Sequence, residues 1–296
     1  MACGPKLRRT RFAPSPTGLL HLGHAHAALT AFERADAGEF LVRIEDLDQT
    51  RSRPAFETAI LEDLAWLGLT WQTPVMRQSE RRDAYAKALE SLADRGLIYP
   101  CTCTRGDIRA AAAAPNEGEP LTGPDGIVYP GTCRGAALLP DWGRSNLRLD
   151  LRRALATLPA LPSFAEYGLA HSGVHTVDEQ RLLTSVGDVI LWRGATGAAY
   201  HLAVVVDDAA QGITEVTRGE DLFEATQIHV LLQTLLQLPT PTYCHHSLIR
   251  DADGKRLAKR DDARAIRSYR DAGLSPADVR ALAGHSGFIS STSSPA

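Results

Sequence analysis

RFAPSPTGLLHLGH, from Arg11 to His24, decides how this chain is read. Pro14, Pro16 and Gly18 block a helix, yet His21 and His24 stand three residues apart where the helical pattern AHAALTAFERADA begins. Upstream, RRTRFAP reads as a short strand. Downstream, EFLVRIEDLD reads as a second, its apolar Leu41, Val42 and Ile44 bounded by charge. Strand, loop, helix and strand make a βαβ unit, so the fold class is α/β with a parallel sheet. Such loops commonly hold phosphates on backbone amides at the helix N-terminus, with glycines allowing close approach. Neither GxGxxG nor GxxxxGKS/T occurs here; the loop offers two imidazoles, with Gly23 leaving room for a flat ring. Taken alone, the two histidines are as well explained as a helix cap.

Further helices are expected in PAFETAILEDLAWLG, with Pro54 near its start, and in ERRDAYAKALESLADRG, ending at a capping Gly96. The stretch from Cys101 to Gly135 is rich in Gly and Pro, carries three of the five cysteines and looks like an insertion. Regular structure returns in SVGDVILWR, in the run Leu202 to Val206, expected as a buried strand, and in the apolar helix EATQIHVLLQTLLQL. After Pro239 come a strand-like PTYCHHSLI, a basic loop, two short helical patterns and a frayed tail, SGFISSTSSPA.

A net charge of -3 excludes a protein coated with nucleic-acid-binding charge, so any such partner must meet a local patch. RDADGKRLAKRDDARAIRSYR, Arg250 to Arg270, is that patch, including Lys255, Arg256, Arg264 and Arg267. Of 32 basic residues only Lys6, Lys87, Lys255 and Lys259 are lysine, and two of these fall within this loop. A lysine kept where arginine is the rule suits a compact point charge, although a solvated basic loop is the plainer alternative. No apolar run approaches the roughly 20 residues of a membrane helix, and no secretory signal opens the chain, so no membrane partner and a cytoplasmic location are expected. The odd cysteine count and the CTC pair fit a reducing compartment.

With these residues in view, RFAPSPTGLLHLGH resembles the HIGH signature of class I aminoacyl-tRNA synthetases in their glutamate-specific form. RIEDLD, VVVDD and VTRGEDL follow in that family's order, and RLAKR, Arg256 to Arg260, resembles its KMSKS loop. CTCTR followed by YPGTC brings the chain nearest to the short paralogues called glutamyl-queuosine tRNA(Asp) synthetases, as does its end before an anticodon-binding domain. One departure is Ala258, where a serine is common.

The resemblance implies a Rossmann-like parallel sheet with a zinc-bearing insertion and a truncated stem-contact segment. The halves of the catalytic domain would span 1–98 and 185–249, the insertion 99–184 and the stem-contact segment 250–296. It implies ATP-dependent formation of glutamyl-adenylate, with Mg²⁺ bridging phosphates, then transfer of glutamate to queuosine in the anticodon stem-loop of tRNA(Asp) by a monomer. His21, His24 and Lys259 would be catalytic and, with Gly23, hold ATP. Arg11, Ala13, Ser15, Glu45, Tyr200 and Arg218 would surround glutamate, with Glu45 on its ammonium. Arg43, Glu45 and Asp46 would equally make an ordinary ion-pair cluster at a strand end, and EDLD lacks the glycine and further ligands of a calcium loop. The ligand set Cys101, Cys103, Tyr129 and Cys133 would hold one zinc; from spacing alone, three free thiols are the simpler explanation. Two alternatives stand beside this: a truncated enzyme charging tRNA(Glu), and a catalytically silent RNA-binding or regulatory paralogue.

Overall fold

The computed structural model of the chain describes residues 7–36, 38–113, 121–124, 126–137, 142–249 and 264–286. The expected βαβ start is present as strand β1 (Arg9–Phe12), helix α1 (Leu22–Ala35) and strand β2 (Glu39–Ile44), the two strands parallel with Arg11 beside Leu41. Helix α2 (Pro54–Trp66) leads to β3 (Gln72–Arg77), parallel to β2. Pro54 sits at the first position of α2, where a missing N–H costs nothing. Helix α3 (Arg82–Asp94) ends as its glycine predicts: Gly96 has φ 65°, and the amides of Gly96 and Leu97 return to the carbonyls of Ala93 and Leu92 at 2.8 and 2.9 Å.

The middle of the chain builds an antiparallel sheet. After β4 (Ile98–Cys101) come helix α4 (Arg105–Ala113), the small pair β5 (Thr122–Gly123) and β6 (Gly126–Ile127), β7 (Asn146–Leu149) and helix α5 (Leu151–Ala156). A hairpin of β8 (Ser163–Glu166) and β9 (Gly173–Thr176), the single turn α6 (Glu179–Arg181), β10 (Ile190–Arg193) and β11 (Gly197–Ala198) complete the region. Strands β11, β10, β7 and β4 lie side by side in that order.

The parallel pattern then resumes with α7 (Tyr200–Ala210), β12 (Glu215–Gly219), α8 (Thr226–Leu235) and β13 (Thr242–His246). Strand β13 lies between β12 and β8, parallel to both, and β9 closes the edge antiparallel to β8. Strand β12 runs beside β1: the Thr214 amide donates to the Arg9 carbonyl at 3.0 Å and the Arg9 amide to the Thr214 hydroxyl at 2.8 Å. The resulting succession β3, β2, β1, β12, β13 is that of a doubly wound nucleotide-binding sheet, in which ligands meet the carboxyl ends of the strands where the order reverses.

One expectation fails. Leu202 to Val206 is the middle of helix α7, not a strand; the strand of this unit is β12. A continuous apolar run carries no period that separates a buried strand from a helix buried on nearly every side. His201, Leu202, Ala203, Val204 and Val205 are all buried, and the helix that contains the run is eleven residues long, an ordinary helix length.

Helices α9 (Ile266–Asp271) and α10 (Pro276–Leu282) dock on α1, with Ile266, Val279 and the C-capping Ala283 buried in one cluster with Ala25, Ala28 and Leu29. The Ile266 amide donates to the Leu20 carbonyl at 2.8 Å and Ala265 bridges His21, so the chain returns directly to the histidine loop. RLAKR with Lys259, the neighbouring Lys255 and Arg256, and the tail from 287 lie outside the described residues. Among the described residues no helix is long and apolar enough to cross a membrane.

Candidate active site

The loop after β1 ends in a reciprocal cap. His21 is the N-cap of α1 and its Nδ1 accepts from the Gly23 amide at 3.1 Å, while His24 Nδ1 accepts from the His21 amide at 3.2 Å. The two rings lie 3.8 Å apart, tilted by 32°. The helix-capping explanation of the two histidines is therefore correct as far as one nitrogen of each ring goes. The cap also aims both rings at the positive end of α1.

The carboxyl ends of β1 and β2 and the start of α7 border a cleft of about 860 Å³. Of the expected residues, Ala13, Ser15, His24, Glu45 and Tyr200 line it. Gln78, Arg105 and Arg193 line it too, although no motif singled them out. Arg11, His21, Gly23 and Arg218 are not in its lining, but Arg11 and Arg218 act electrostatically on Tyr200 beside it.

Arg11 is 5% exposed and lies against Asp208: Nε meets Oδ1 at 2.9 Å, Nη2 meets Oδ2 at 3.4 Å, and Nη1 donates to the Thr217 carbonyl at 3.1 Å. Arg43, fully buried, donates to the same Asp208 Oδ1 at 2.7 Å and to Glu45 at 3.4 Å. Burial acts to raise the Asp208 carboxyl, yet Arg11 and Arg43 hold it below the usual carboxylate range. Glu45 goes the other way: burial lifts it above that range against the pull of Arg43 and Arg11. Asp207 is occupied separately by Arg81 at 2.6 Å, Tyr85 at 2.7 Å and Gln78 at 2.9 Å, which ties the lining residue Gln78 to the buried network.

Arg218, on β12, sits among buried histidines. It donates from Nε to His245 Nε2 at 3.1 Å, from Nη1 to His229 Nδ1 at 2.9 Å and from Nη2 to the Thr226 hydroxyl at 2.7 Å. An arginine only donates, so both histidine nitrogens facing it must be bare. His245 therefore carries its proton on Nδ1, toward Glu166 Oε2 at 2.6 Å, and His229 carries its own on Nε2, toward His201 Nδ1 at 2.9 Å. Burial and then Arg218 keep His229 neutral by lowering it far below the ordinary imidazole value. Arg11 and Arg218 each spend three of five N–H groups on these protein contacts.

The three cysteines of the insertion converge. Cys101, Cys103 and Cys133 place their Sγ atoms within 4.8 Å of one another, and Cys103 and Cys133 are 3.4 Å apart. The Tyr129 hydroxyl is 3.5 Å from both Cys101 and Cys103 and accepts from the Cys133 amide at 2.9 Å. A tetrahedral zinc with Zn–S near 2.3 Å and Zn–O near 2.0 Å sets neighbouring sulfur and oxygen ligands about 3.5 Å apart. The four donors thus fit one zinc ion. Tyr129 reaches them because Gly187 pairs with it at φ 71°, where a Cβ would meet the Val128 side chain at 2.9 Å.

A family model described as tRNA synthetases class I (E and Q), catalytic domain, matches residues 8–120 and 176–292. The Glutamyl-Q tRNA(Asp) synthetase of Rhodobacter capsulatus is 57% identical over 277 residues, covering 93% of this chain and 99% of that protein. The chain belongs to the glutamyl-Q tRNA(Asp) synthetase family. A second member, from Nocardia farcinica, is 45% identical over 92% of this chain and 82% of its own length. Among solved structures, a glutamate tRNA ligase from Elizabethkingia meningosepticum in complex with its amino acid superposes with a TM-score of 0.68 at 29% identity, over 86% of this chain. This chain covers 52% of that ligase, about half its length. Mycobacterium tuberculosis methionyl-tRNA synthetase, bound by methionyl-adenylate, shares the fold alone, with a TM-score of 0.59 at 10% identity over 94% of this chain and 64% of that one. The glutamyl-Q tRNA(Asp) synthetase family makes the chain a ligase of the class I tRNA synthetase type.

Proposed function

We propose that this protein activates glutamate with ATP and transfers it to queuosine in the anticodon of tRNA(Asp). The observation that carries this reading is the 57% identity, across 93% of the chain, to a protein bearing that name. A monomer working in the cytoplasm, divided at 1–98, 99–184, 185–249 and 250–296, completes it.

Glutamate attacks the α-phosphorus of ATP, forming the mixed anhydride and releasing pyrophosphate. Negative charge builds on phosphate oxygens, so the protein's task is positioning and electrostatic stabilisation. His21 and His24 do this from the N-terminus of α1, with Mg²⁺ bound to ATP and Lys259 as the further cation. Their Nδ1 atoms accept backbone amides, which assigns the proton of each neutral ring to Nε2, the donor a phosphate oxygen needs. Gly23 leaves space for the adenine ring. Arg11 and Arg218 offer their uncommitted N–H groups to the carboxylate of the glutamate side chain, with Ala13, Ser15 and Tyr200 shaping the cleft. Glu45 takes the ammonium. A bound cation opposes the burial that raises Glu45, so the charged ligand and the charged carboxylate favour one another.

Cys101, Cys103, Tyr129 and Cys133 hold a structural zinc, which cross-links the insertion without taking part in the chemistry.

The test uses radiolabelled glutamate and purified tRNA(Asp) with or without queuosine, alongside tRNA(Glu). Label only on the queuosine-bearing tRNA is expected, together with glutamate-dependent pyrophosphate exchange in the absence of any tRNA. Label on tRNA(Glu), or on tRNA(Asp) lacking queuosine, overturns the reading.

A further inference from the structure

Arg148, on β7, is 6% exposed, yet it forms an ion pair with no carboxylate among the described residues. Its Nη1 donates to the Asp188 main-chain carbonyl at 2.6 Å and its Nε to Cys101 Sγ at 3.3 Å. The guanidinium carbon lies 3.8 Å from the centre of the Tyr129 ring. The Asp188 carboxylate nearby is already taken by Arg134 at 2.7 and 2.9 Å, Tyr99 at 2.5 Å and the Leu151 amide at 3.0 Å. A buried guanidinium left without a counter-charge is strongly unfavourable, so the anion that balances Arg148 must lie in what it touches. It touches two members of the cysteine and tyrosine cluster.

We infer that Arg148 is the counter-ion and positioning residue of the metal centre, holding Cys101 Sγ and the Tyr129 ring in place for ligation and offsetting the centre's surplus negative charge. This rests on the zinc reading above. Three thiolates and a phenolate around a divalent ion would leave two negative charges in a half-buried site, and Arg148 is the buried cation placed against its buried members, Cys101 and Tyr129. Its shape matters as much as its charge. The flat fork donates at one edge to sulfur, at another to a carbonyl, and lays its face on an aromatic ring, which an ammonium cannot do at once. Asp188 braces the same assembly from both sides: its carbonyl fixes Arg148, and its carboxylate fixes Arg134, the residue after Cys133.

The experiment compares the full-length wild type with Arg148→Gln and Arg148→Lys, each purified with zinc. Zinc content is measured first, then the rate of zinc release to a chromogenic chelator, then the absorption spectrum after cobalt(II) replaces zinc. The expectation is one zinc in the wild type and release at least roughly tenfold faster from Arg148→Gln, the scale of losing an outer-shell partner. Arg148→Lys should recover part of that loss. The cobalt bands of Arg148→Gln should shift, which a residue supporting only the fold would leave in place. A wild type without zinc overturns the metal reading itself. A wild type that holds zinc, with both variants releasing it at the wild-type rate and with unchanged cobalt bands, overturns the role of Arg148 and leaves the zinc reading standing. If Arg148→Gln does not fold, Arg148→Lys decides by the same two measurements, because it keeps the charge and loses the fork.

Discussion

His21 and His24 cap one another at the head of α1, each accepting a backbone amide through Nδ1, at 3.1 and 3.2 Å. The same contacts that start the helix fix the tautomer of both neutral rings, so under the proposed function a single arrangement would serve both folding and phosphate binding. That double use can be separated. Asparagine is a good N-cap but lacks the second ring nitrogen, so His21→Asn should change stability by no more than about 0.5 kcal/mol. Adenylate formation should fall by about a hundredfold, as with other lost transition-state donors. His21→Ala should lose both, with about 1 kcal/mol of stability gone. Thermal melts and pyrophosphate exchange read the two effects, and exchange retained in His21→Asn would remove His21 from catalysis.

Asp208 joins Arg11 and Arg43, two guanidiniums that are both buried. Asp208→Asn leaves them without their common anion, and breaking a buried pair from one side costs about 3–5 kcal/mol. Urea unfolding at neutral pH should show that loss, and the KM for glutamate should rise as Arg11 loses its orientation. A stability change below about 1 kcal/mol, the range of an exposed pair, would mean the network is not the one seen here.

Much of this was legible from sequence because it is local. The βαβ start, the proline that opens α2 and the glycine that closes α3 depend on residues a few positions apart, and each formed where its pattern predicted. Arg11 and Asp208 are 197 residues apart, and Arg148 and Cys101 are 47 apart on antiparallel strands. Sequence shows such residue types without showing their pairing. A signal for Asp207 and Asp208 did exist: two carboxylates directly after an apolar run need buried cations, and reading Leu202 to Val206 as a strand hid it. Taken as a strand, that run alternates its side chains between two faces; as helix α7 it brings His201 to His229 and Asp208 to Arg11.

Under the proposed function, selectivity would follow from the guanidiniums of Arg11 and Arg218. A site built for a carboxylate leaves charge unpaired when an amide enters, and a buried unpaired group costs about 1–3 kcal/mol. Glutamine should therefore be activated roughly ten to a hundred times less well than glutamate. Arg11→Ala should raise the glutamate requirement steeply and narrow that ratio. Exchange rates measured with both amino acids decide it, and equal rates in the wild type would exclude a carboxylate-selective cleft.

The docking of α9 and α10 on α1 should weaken in mild acid, and His26 is the reason. Its Nδ1 meets the Ala283 carbonyl and His285 Nε2, both at 3.0 Å; His246 packs edge-on at 4.6 Å, and Glu33 faces the far nitrogen of His285 at 2.8 Å. Burial first, then His246, lowers His26 from 6.5 to about 4. Between those two values the unfolded chain binds a proton that the folded chain refuses, so stability is lost as pH falls through that window and kept above it. Each pH unit inside the window is worth at most about 1.4 kcal/mol. His26 is partly exposed, and screening reduces the whole loss at pH 5 to about 1 kcal/mol. His26→Gln keeps a donor for Ala283 without a titrating ring. Denaturant unfolding of both proteins at pH 7.5 and pH 5 should show the wild type losing about 1 kcal/mol more than the variant. Hydrogen exchange should locate the loosening in residues 266–282, and pyrophosphate exchange should fall with it, since Ala265 at the start of this segment bridges His21. Equal losses in the two proteins would assign the acid sensitivity to other groups, with His246 the first to examine because burial lowers it as well.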